Sequence, residues 1–497
     1  MKHRSFINEA KTTKIQNLIC ILIGISIFCF IVIKSTIASL THDESITYLH
    51  FVPQKFMDII SYKIAYTNNH ILNTVLIKGS EYLFGNSEIA IRLPNNLSYL
   101  VYMIYTFLLL RKMNPRIIIF PFTLMILNPY LIDFFGLARG YGLSIGFLMM
   151  SLYHLIRYFK TNLKRDLIFF NFGAFLAIFS SFILVCYYIS ALIIFNLIIP
   201  LQKVSYSRVS FRWFFKQNKI NGISVLIISL ATFEPFRRTF KWLSLDFGGK
   251  KGFIPDTLHS LVVQSYFGIS TFWESVLVGF VCSVILILFL YIFYKAITDK
   301  LTVLSEIKPV VVVNLLTILI IVFINLAHYI IGVDFPIQRF ALFLYPLIIL
   351  NITLLYCMKI QKMKYIIVGL IIGLTILTGV NFSLKLNMSY YRDWAYDCDT
   401  KTAMRTLVND YKQKPDGKVT VSLGVSWYFE PTANYYRERW HLYWLDTINR
   451  EAPDLNDNYI YVFKSEYQPS YLAEEQVIFT SYFADALLVR RSTCFFK

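Results

Sequence analysis

Asp43 and Glu44 stand in Thr41-His42-Asp43-Glu44, directly after an apolar run that ends near Leu40. A carboxylate at the mouth of a membrane helix is costly unless it has a partner or a task. The task open to an acid there is to take the proton of an attacking hydroxyl as a new bond forms. On a helix, consecutive side chains project about 100° apart, so only one of the two faces a given substrate. Asp43 reads as the base, and Glu44 as the group that orients a basic neighbour or caps the helix. The competing reading makes both into N-terminal charges facing the helix dipole. Arg139, in Ala138-Arg139-Gly140-Tyr141, and Arg339, in Gln338-Arg339-Phe340, suit a departing phosphate, because a guanidinium grips two oxygens at once. An arginine at the end of an apolar run also serves as an anchor, its stem in the apolar layer and its head in water. Arg92, with Lys63, Arg237, Arg238 and Lys241, extends the same argument. Tyr141 and Tyr345 can hydrogen-bond a phosphate or stack on a sugar ring. His42, His70 and His328, with Asp43, are candidate ligands of a divalent ion by donor type, not by spacing.

The elements that must position these residues are membrane helices. The 497-residue chain is 56% hydrophobic and only 16% charged, against about a quarter charged in soluble domains. The run Ile15 to Leu40 is too long for a cleavable signal and reads as a retained anchor. Counting apolar runs long enough to span a bilayer predicts about eleven spans, near 15–40, 89–110, 116–134, 141–159, 166–184, 186–201, 220–235, 272–294, 308–331, 338–358 and 364–385. The fifth and sixth form one run, interrupted at Tyr187-Tyr188. Between the first two spans lie short amphipathic pieces that read as interfacial helices, or as helices packed into the core.

Net charge is +18, yet from Leu386 onward there are 13 Lys/Arg against 15 Asp/Glu, so the excess belongs to the membrane part. Its basic turns, among them Arg111-Lys112, Lys160 with Lys164-Arg165, Lys203 with Arg208, and Lys359 with Lys362, all fall on one side of the alternating spans, which makes that side cytoplasmic. No nucleic-acid partner is expected from a charge so placed. The N-terminus is then inside, and the first loop, residues 236–271 and the C-terminal tail are outside. Asp43, Asp133, Arg139, Glu234, His328, Asp334 and Arg339 all map to the outer ends of spans, where an enzyme acting on lipid-linked substrate wants them. A transporter would carry such groups at mid-membrane. From 386 the chain becomes a small α/β domain: a helix from Thr400, a turn at Pro415-Asp416-Gly417, a strand through Val419, Val421, Leu423 and Val425, a helix at Pro431 to Trp440, and strands at 459–463, 477–483 and 487–490. Such a domain is long enough to bury its own core. Cys398 and Cys494 could tie its ends together in an oxidising compartment.

Three segments together resemble the GT-C superfamily of integral-membrane glycosyltransferases, in the bacterial branch similar to protein O-mannosyltransferases and the aminoarabinose transferase of lipid A. They are Asp43-Glu44; Asn69-His70-Ile71-Leu72-Asn73 leading through Leu83-Phe84-Gly85-Asn86-Ser87-Glu88 to Ile91-Arg92-Leu93-Pro94; and Ala138-Arg139-Gly140-Tyr141. Gln338-Arg339-Phe340 with Tyr345-Pro346 is similar to the family's late arginine motif, while its His-Pro-Pro stands here as His70-Ile71-Leu72. The resemblance covers residues to about 385. It implies a polyprenyl-phosphate sugar donor, an envelope lipid, glycan or protein acceptor, inversion at the anomeric carbon and Asp43 as the catalytic acid residue. It also implies residence in the bacterial cytoplasmic membrane, with metal use left open. The domains expected are residues 1–385 for the transmembrane enzyme and 386–497 for an exported α/β unit. An O-antigen ligase or polymerase, with residues 236–271 as its basic loop, and a lipid-linked oligosaccharide flippase are the alternatives.

Overall fold

The computed structural model describes residues 2–66, 68–113, 117–204, 211–242, 248–298, 308–358, 363–413, 420–454, 457–467 and 475–491. Helix α1 (Lys2–Ile37) leads into three short helices, α2 (His42–Ile46), α3 (Phe56–Ile60) and α4 (Ile71–Phe84). The bundle continues with α5 (Glu88–Met113), α6 (Ile119–Ile126), α7 (Pro129–Gly136), α8 (Gly140–Thr161), α9 (Lys164–Ser180), α10 (Val185–Val204) and α11 (Phe211–Trp242). It closes with α12 (His259–Ser265), α13 (Thr271–Thr298), α14 (Lys308–Leu326), α15 (Leu344–Leu354) and α16 (Lys364–Lys385). The chain is a polytopic α-helical membrane protein carrying a small C-terminal sheet.

Among the described residues six helices are long and apolar enough to span a bilayer, or seven if the α6–α7 pair counts as one span. The remaining expected spans form helices that fall short on length or polarity. In α8, Ser144, Ser151 and His154 are buried against neighbouring helices, so protein replaces lipid around them and the apolar requirement lapses. Three breaks differ from the expected ones. The third span is bent by 58° between α6 and α7, because Asn128 caps the second half, accepting the Leu131 N–H at 3.2 Å, and Pro129 occupies its first turn. The break between the fifth and sixth spans falls at Ser181, whose backbone is extended at φ −158°, ψ 115°. Tyr187 and Tyr188 lie within α10, donating to Ser151 Oγ at 2.9 Å and Asn171 Oδ1 at 2.6 Å. The tenth span shrinks to α15, and Gln338–Ala341 form a separate 3₁₀ turn that presents Arg339.

The first loop folds as expected in outline. Gly85, at φ 77°, ends α4 in a backbone conformation that side-chain-bearing residues avoid. This helix buries Asn73, Thr74 and Ser80 in protein and turns Tyr82, Leu83 and Phe84 outward. Of the expected basic loop, Arg237 and Arg238 are helical and both bind Glu234, at 2.7 and 2.6 Å.

The C-terminal unit contains α17 (Thr400–Lys412), β1 (Leu423–Val425), α18 (Glu430–Arg439), β2 (Tyr459–Phe463), β3 (Glu475–Ser481) and β4 (Ala486–Arg491). Its four-stranded sheet has the order β1-β2-β4-β3, parallel between β1 and β2 and antiparallel elsewhere. The turn at Pro415-Asp416-Gly417, Val419, Arg208, Lys359, Lys362 and Cys494 lie outside the described residues, and with Cys494 the disulfide. The unit does not close its core alone. Leu407, Phe429, Tyr435 and Tyr459 pack in one cluster with Leu40, Tyr48, Val52, Ile77 and Ile91 of the membrane part. Tyr436 Oη accepts the Leu40 N–H at 3.0 Å, and Tyr435 Oη donates to the Asn86 carbonyl at 2.8 Å. The first loop is thus clamped between bundle and sheet.

Candidate functional site

The α2 turn is held by Glu44. Its carboxylate accepts the Thr41 N–H and hydroxyl, both at 3.0 Å, and the Ala138 N–H at 2.6 Å. Arg92 reaches it from α5 with Nε at 2.9 Å and Nη2 at 2.7 Å. The other Arg92 donors go to the carbonyls of Ser35 (3.0 Å), Ala38 (2.8 Å) and Ser39 (2.6 Å), which the end of α1 leaves without helical partners. All five guanidinium N–H groups are therefore used, and both side chains are 0% exposed. This corrects two expectations: Glu44 cannot meet a substrate and is no catalytic group, and Arg92 has no donor left for a phosphate. The orienting role expected of Glu44 is the one it has.

Asp43, on the adjacent face, keeps 17% of its side chain exposed, and its Oδ2 lies 3.3 Å from Arg139 Nη2. Asn68 bridges the two from below, donating to the Asp43 carbonyl at 2.9 Å and accepting from Arg139 Nη1 at 3.2 Å. Arg139 itself is buried at the start of α8. His70 precedes α4 and is fixed by Nδ1–H donating to the Ser180 carbonyl at 2.8 Å, a partner that can only accept. A Cβ on Gly140 would meet that carbonyl at 2.1 Å and the His70 ring at 2.7 Å, so only glycine lets α8, α9 and His70 converge. Burial first, then the nearby Arg139 guanidinium, push His70 down to about 3, which keeps it neutral at physiological pH. Tyr141 stacks edge-on against His70 at 4.9 Å and Phe340 at 5.8 Å. Arg139 Nε, His70 Nε2 and Tyr141 Oη are buried polar atoms with no hydrogen-bond partner among the described residues.

Arg339 adjoins this cluster through Phe340. Its guanidinium lies 5.4 Å from the Phe340 ring and 5.4 Å from that of Trp394, with Asp393 at 3.9 Å. Asp43, Arg139, His70, Tyr141 and Arg339 are thus brought together. Tyr345 is not: its hydroxyl donates to the Leu124 carbonyl at 2.7 Å inside the bundle core, which removes it from the substrate-binding set. Tyr345→Phe is expected to leave substrate binding unchanged and to cost about 1–2 kcal/mol of stability through the orphaned carbonyl, read as a lowered thermal midpoint.

The expected metal ligands also fail to converge. His42 Nδ1 is 2.7 Å from the Tyr428 carbonyl, and His328 Nδ1 is 2.9 Å from the Val333 carbonyl. Among the described residues no group of three or more His, Cys, Asp or Glu side chains is placed to hold a metal ion.

Several site residues escaped the sequence reading. Asn68 positions both members of the Asp43–Arg139 pair. Tyr130 donates to Asp393 at 2.9 Å, and Asp397 accepts the His42 N–H at 2.6 Å. Burial, foremost, raises the Asp397 carboxyl well above its ordinary value. The signal was present in Arg392-Asp393-Trp394-Ala395-Tyr396-Asp397, a run of acids and aromatics directly after the last span.

No protein-family profile matches the chain, and no curated protein matches it in sequence. Among solved structures it is similar to ArnT from Cupriavidus metallidurans in the apo state, with 10% identity over 95% of this chain and 97% of that one and a TM-score of 0.49. ArnT from the same organism bound to undecaprenyl phosphate gives 9% identity over 96% and 98%, with a TM-score of 0.47. An Archaeoglobus fulgidus oligosaccharyltransferase in complex with Zn and sulfate gives 10% identity over 88% of this chain and 68% of that one, with a TM-score of 0.39.

Proposed function

We propose that this chain transfers a sugar from a polyprenyl-phosphate donor to an envelope lipid, glycan or protein at the outer face of the bacterial cytoplasmic membrane, with inversion. The observation that carries the reading is the trio of unpartnered buried polar atoms on Arg139, His70 and Tyr141, gathered beside an accessible Asp43. A buried polar group without a partner leaves a bond that a ligand can complete, and here three such groups face one accessible carboxylate. Arg139 Nε and Tyr141 Oη are donors and suit phosphate oxygens. The bare His70 Nε2 is an acceptor and suits a sugar hydroxyl.

In the reaction, the acceptor oxygen attacks the anomeric carbon while Asp43 takes its proton, and the bond from that carbon to the phosphate oxygen breaks. The electron pair leaves with the polyprenyl phosphate, whose charge Arg139 and Arg339 receive. One carboxylate suffices for a direct displacement, and the other acid of the α2 turn is committed to Arg92. Residues 386–497 then form an exported unit over the site, and the N-terminus faces the cytoplasm.

Mass spectrometry of envelope lipids, glycans and glycoproteins from cells with and without the protein tests the reading. A sugar-sized mass difference on one class is expected, and identical profiles in all three would sink it. Arg139→Ala and Arg339→Ala are each expected to weaken polyprenyl-phosphate binding about 10- to 100-fold, the worth of a charged hydrogen bond. Unchanged donor affinity in both variants would refute the phosphate role.

A further inference from the structure

A cavity of about 460 Å³, partly polar, opens where the last span meets the C-terminal unit. Tyr130, Asp133, Phe267, Lys385, Tyr390 and Arg392 line it. Its acid is already committed: Asp133 pairs with Lys34 at 2.7 Å and accepts the Arg392 backbone N–H at 3.1 Å. Its cations are not. Arg392 spends Nη1 on the Gln264 carbonyl at 2.8 Å, and neither it nor Lys385 reaches a carboxylate within ion-pair distance among the described residues. Both nevertheless crowd one ring, the Arg392 guanidinium at 3.8 Å and the Lys385 ammonium at 4.9 Å from the centre of Phe267. Two like charges held against one ring repel, and an anion between them would relieve that repulsion. The surroundings are apolar on the membrane side, with Leu384 75%, Leu386 50% and Phe267 49% exposed. At the boundary of a bilayer the abundant anions are phosphoryl headgroups, and basic pockets at span ends bind them.

We propose that this cavity is a phosphate-binding site distinct from the one at Arg139, and that Arg392 and Lys385 hold the phosphate of an outer-leaflet lipid or a free phosphate ion there. The guanidinium supplies a fork of donors and the ammonium a mobile point charge, while Leu384 and Leu386 meet the first carbons of an attached chain. The site touches the candidate active site through Tyr130, whose hydroxyl binds the Asp393 that faces Arg339. A lipid phosphate seated here is therefore presented beside the Asp43 cluster, as a second lipid and not the donor. The assignment does not depend on the transfer reaction.

Native mass spectrometry of the purified full chain in detergent, offered phosphatidic acid and phosphatidylcholine together, provides the test. The wild type is expected to retain phosphatidic acid over phosphatidylcholine by about tenfold, the worth of one charged contact. Lys385→Ala with Arg392→Ala is expected to reduce that ratio to unity, Lys385→Arg to keep it, and Lys412→Ala, at an exposed cation at the end of α17, to leave it unchanged. Millimolar inorganic phosphate separates the sources: displacement of phosphatidic acid shows that the phosphate group alone carries the binding, and persistence shows that the attached lipid contributes to it. A wild type without preference, or a folded double variant that keeps it, overturns the proposal.

Discussion

Asp43→Asn is expected to lower sugar transfer by about 10²–10⁴-fold, the range a positioned general base supplies, while expression and membrane insertion stay near wild type. The amide matches the carboxylate in shape, so the Asn68 bond to the residue 43 carbonyl and the α2 turn persist. It cannot take a proton, and the attacking hydroxyl keeps its hydrogen. Arg139 loses its ion pair at 3.3 Å, but Asn68 still holds Nη1. The loss therefore belongs in turnover more than in donor binding. Sugar incorporated per amount of membrane protein is the measurement, with polyprenyl-phosphate binding followed alongside. Turnover within tenfold of wild type would remove the base assignment. Lost donor binding with normal turnover at saturation would turn Asp43 into a group that only positions Arg139.

The residues around Asp43 were readable from sequence to the extent that their position relative to the membrane decided their chemistry. An acid just past a span and arginines opening or preceding others stand at one end of the bundle because spans alternate, and the structure gathers Asp43, Arg139 and Arg339 there. What the sequence could not separate is a cation used from a cation available. Arg92 and Arg139 look alike as letters beside apolar runs. One spends every donor on Glu44 and three carbonyls, and the other leaves Nε unpaired. Tyr345 is a second case, since its hydroxyl donates to a backbone carbonyl 221 residues away inside the bundle. The helix breaks at Ser181 and not at Tyr187-Tyr188, because the Ser180 carbonyl is drawn off by His70, a partner distant in sequence that apolar patterning does not reveal. The shared core of sheet and first loop left no trace in hydropathy, which reports burial but not against what.

Arg92→Ala is expected to destabilise the protein by about 3–5 kcal/mol, the cost of removing one partner from a fully buried ion pair. The substitution strands the Glu44 carboxylate at 0% exposure, with only the Thr41 and Ala138 donors left to it. It also uncaps the Ser35, Ala38 and Ser39 carbonyls, so the end of α1 loses its tie to α5. Because Ala138 precedes Arg139, the damage runs directly into the site: the Glu44 carboxylate sets the chain's path into α8, and Arg139 depends on that path. Thermal unfolding in detergent, with folded yield from membranes, is the measurement. Arg92→Lys is expected to recover little, since one ammonium cannot serve five directions at once. Glu44→Gln should fall between, keeping an acceptor for Thr41 and Ala138 but leaving the guanidinium charge uncompensated. A folded Arg92→Ala protein within about 1 kcal/mol of wild type would mean that the α1 end is held instead by the Tyr436 bond to the Leu40 N–H and by Tyr391 Oη, 3.5 Å from Ser35 Oγ, and that the Glu44–Arg92 pair positions the loop without stabilising the fold.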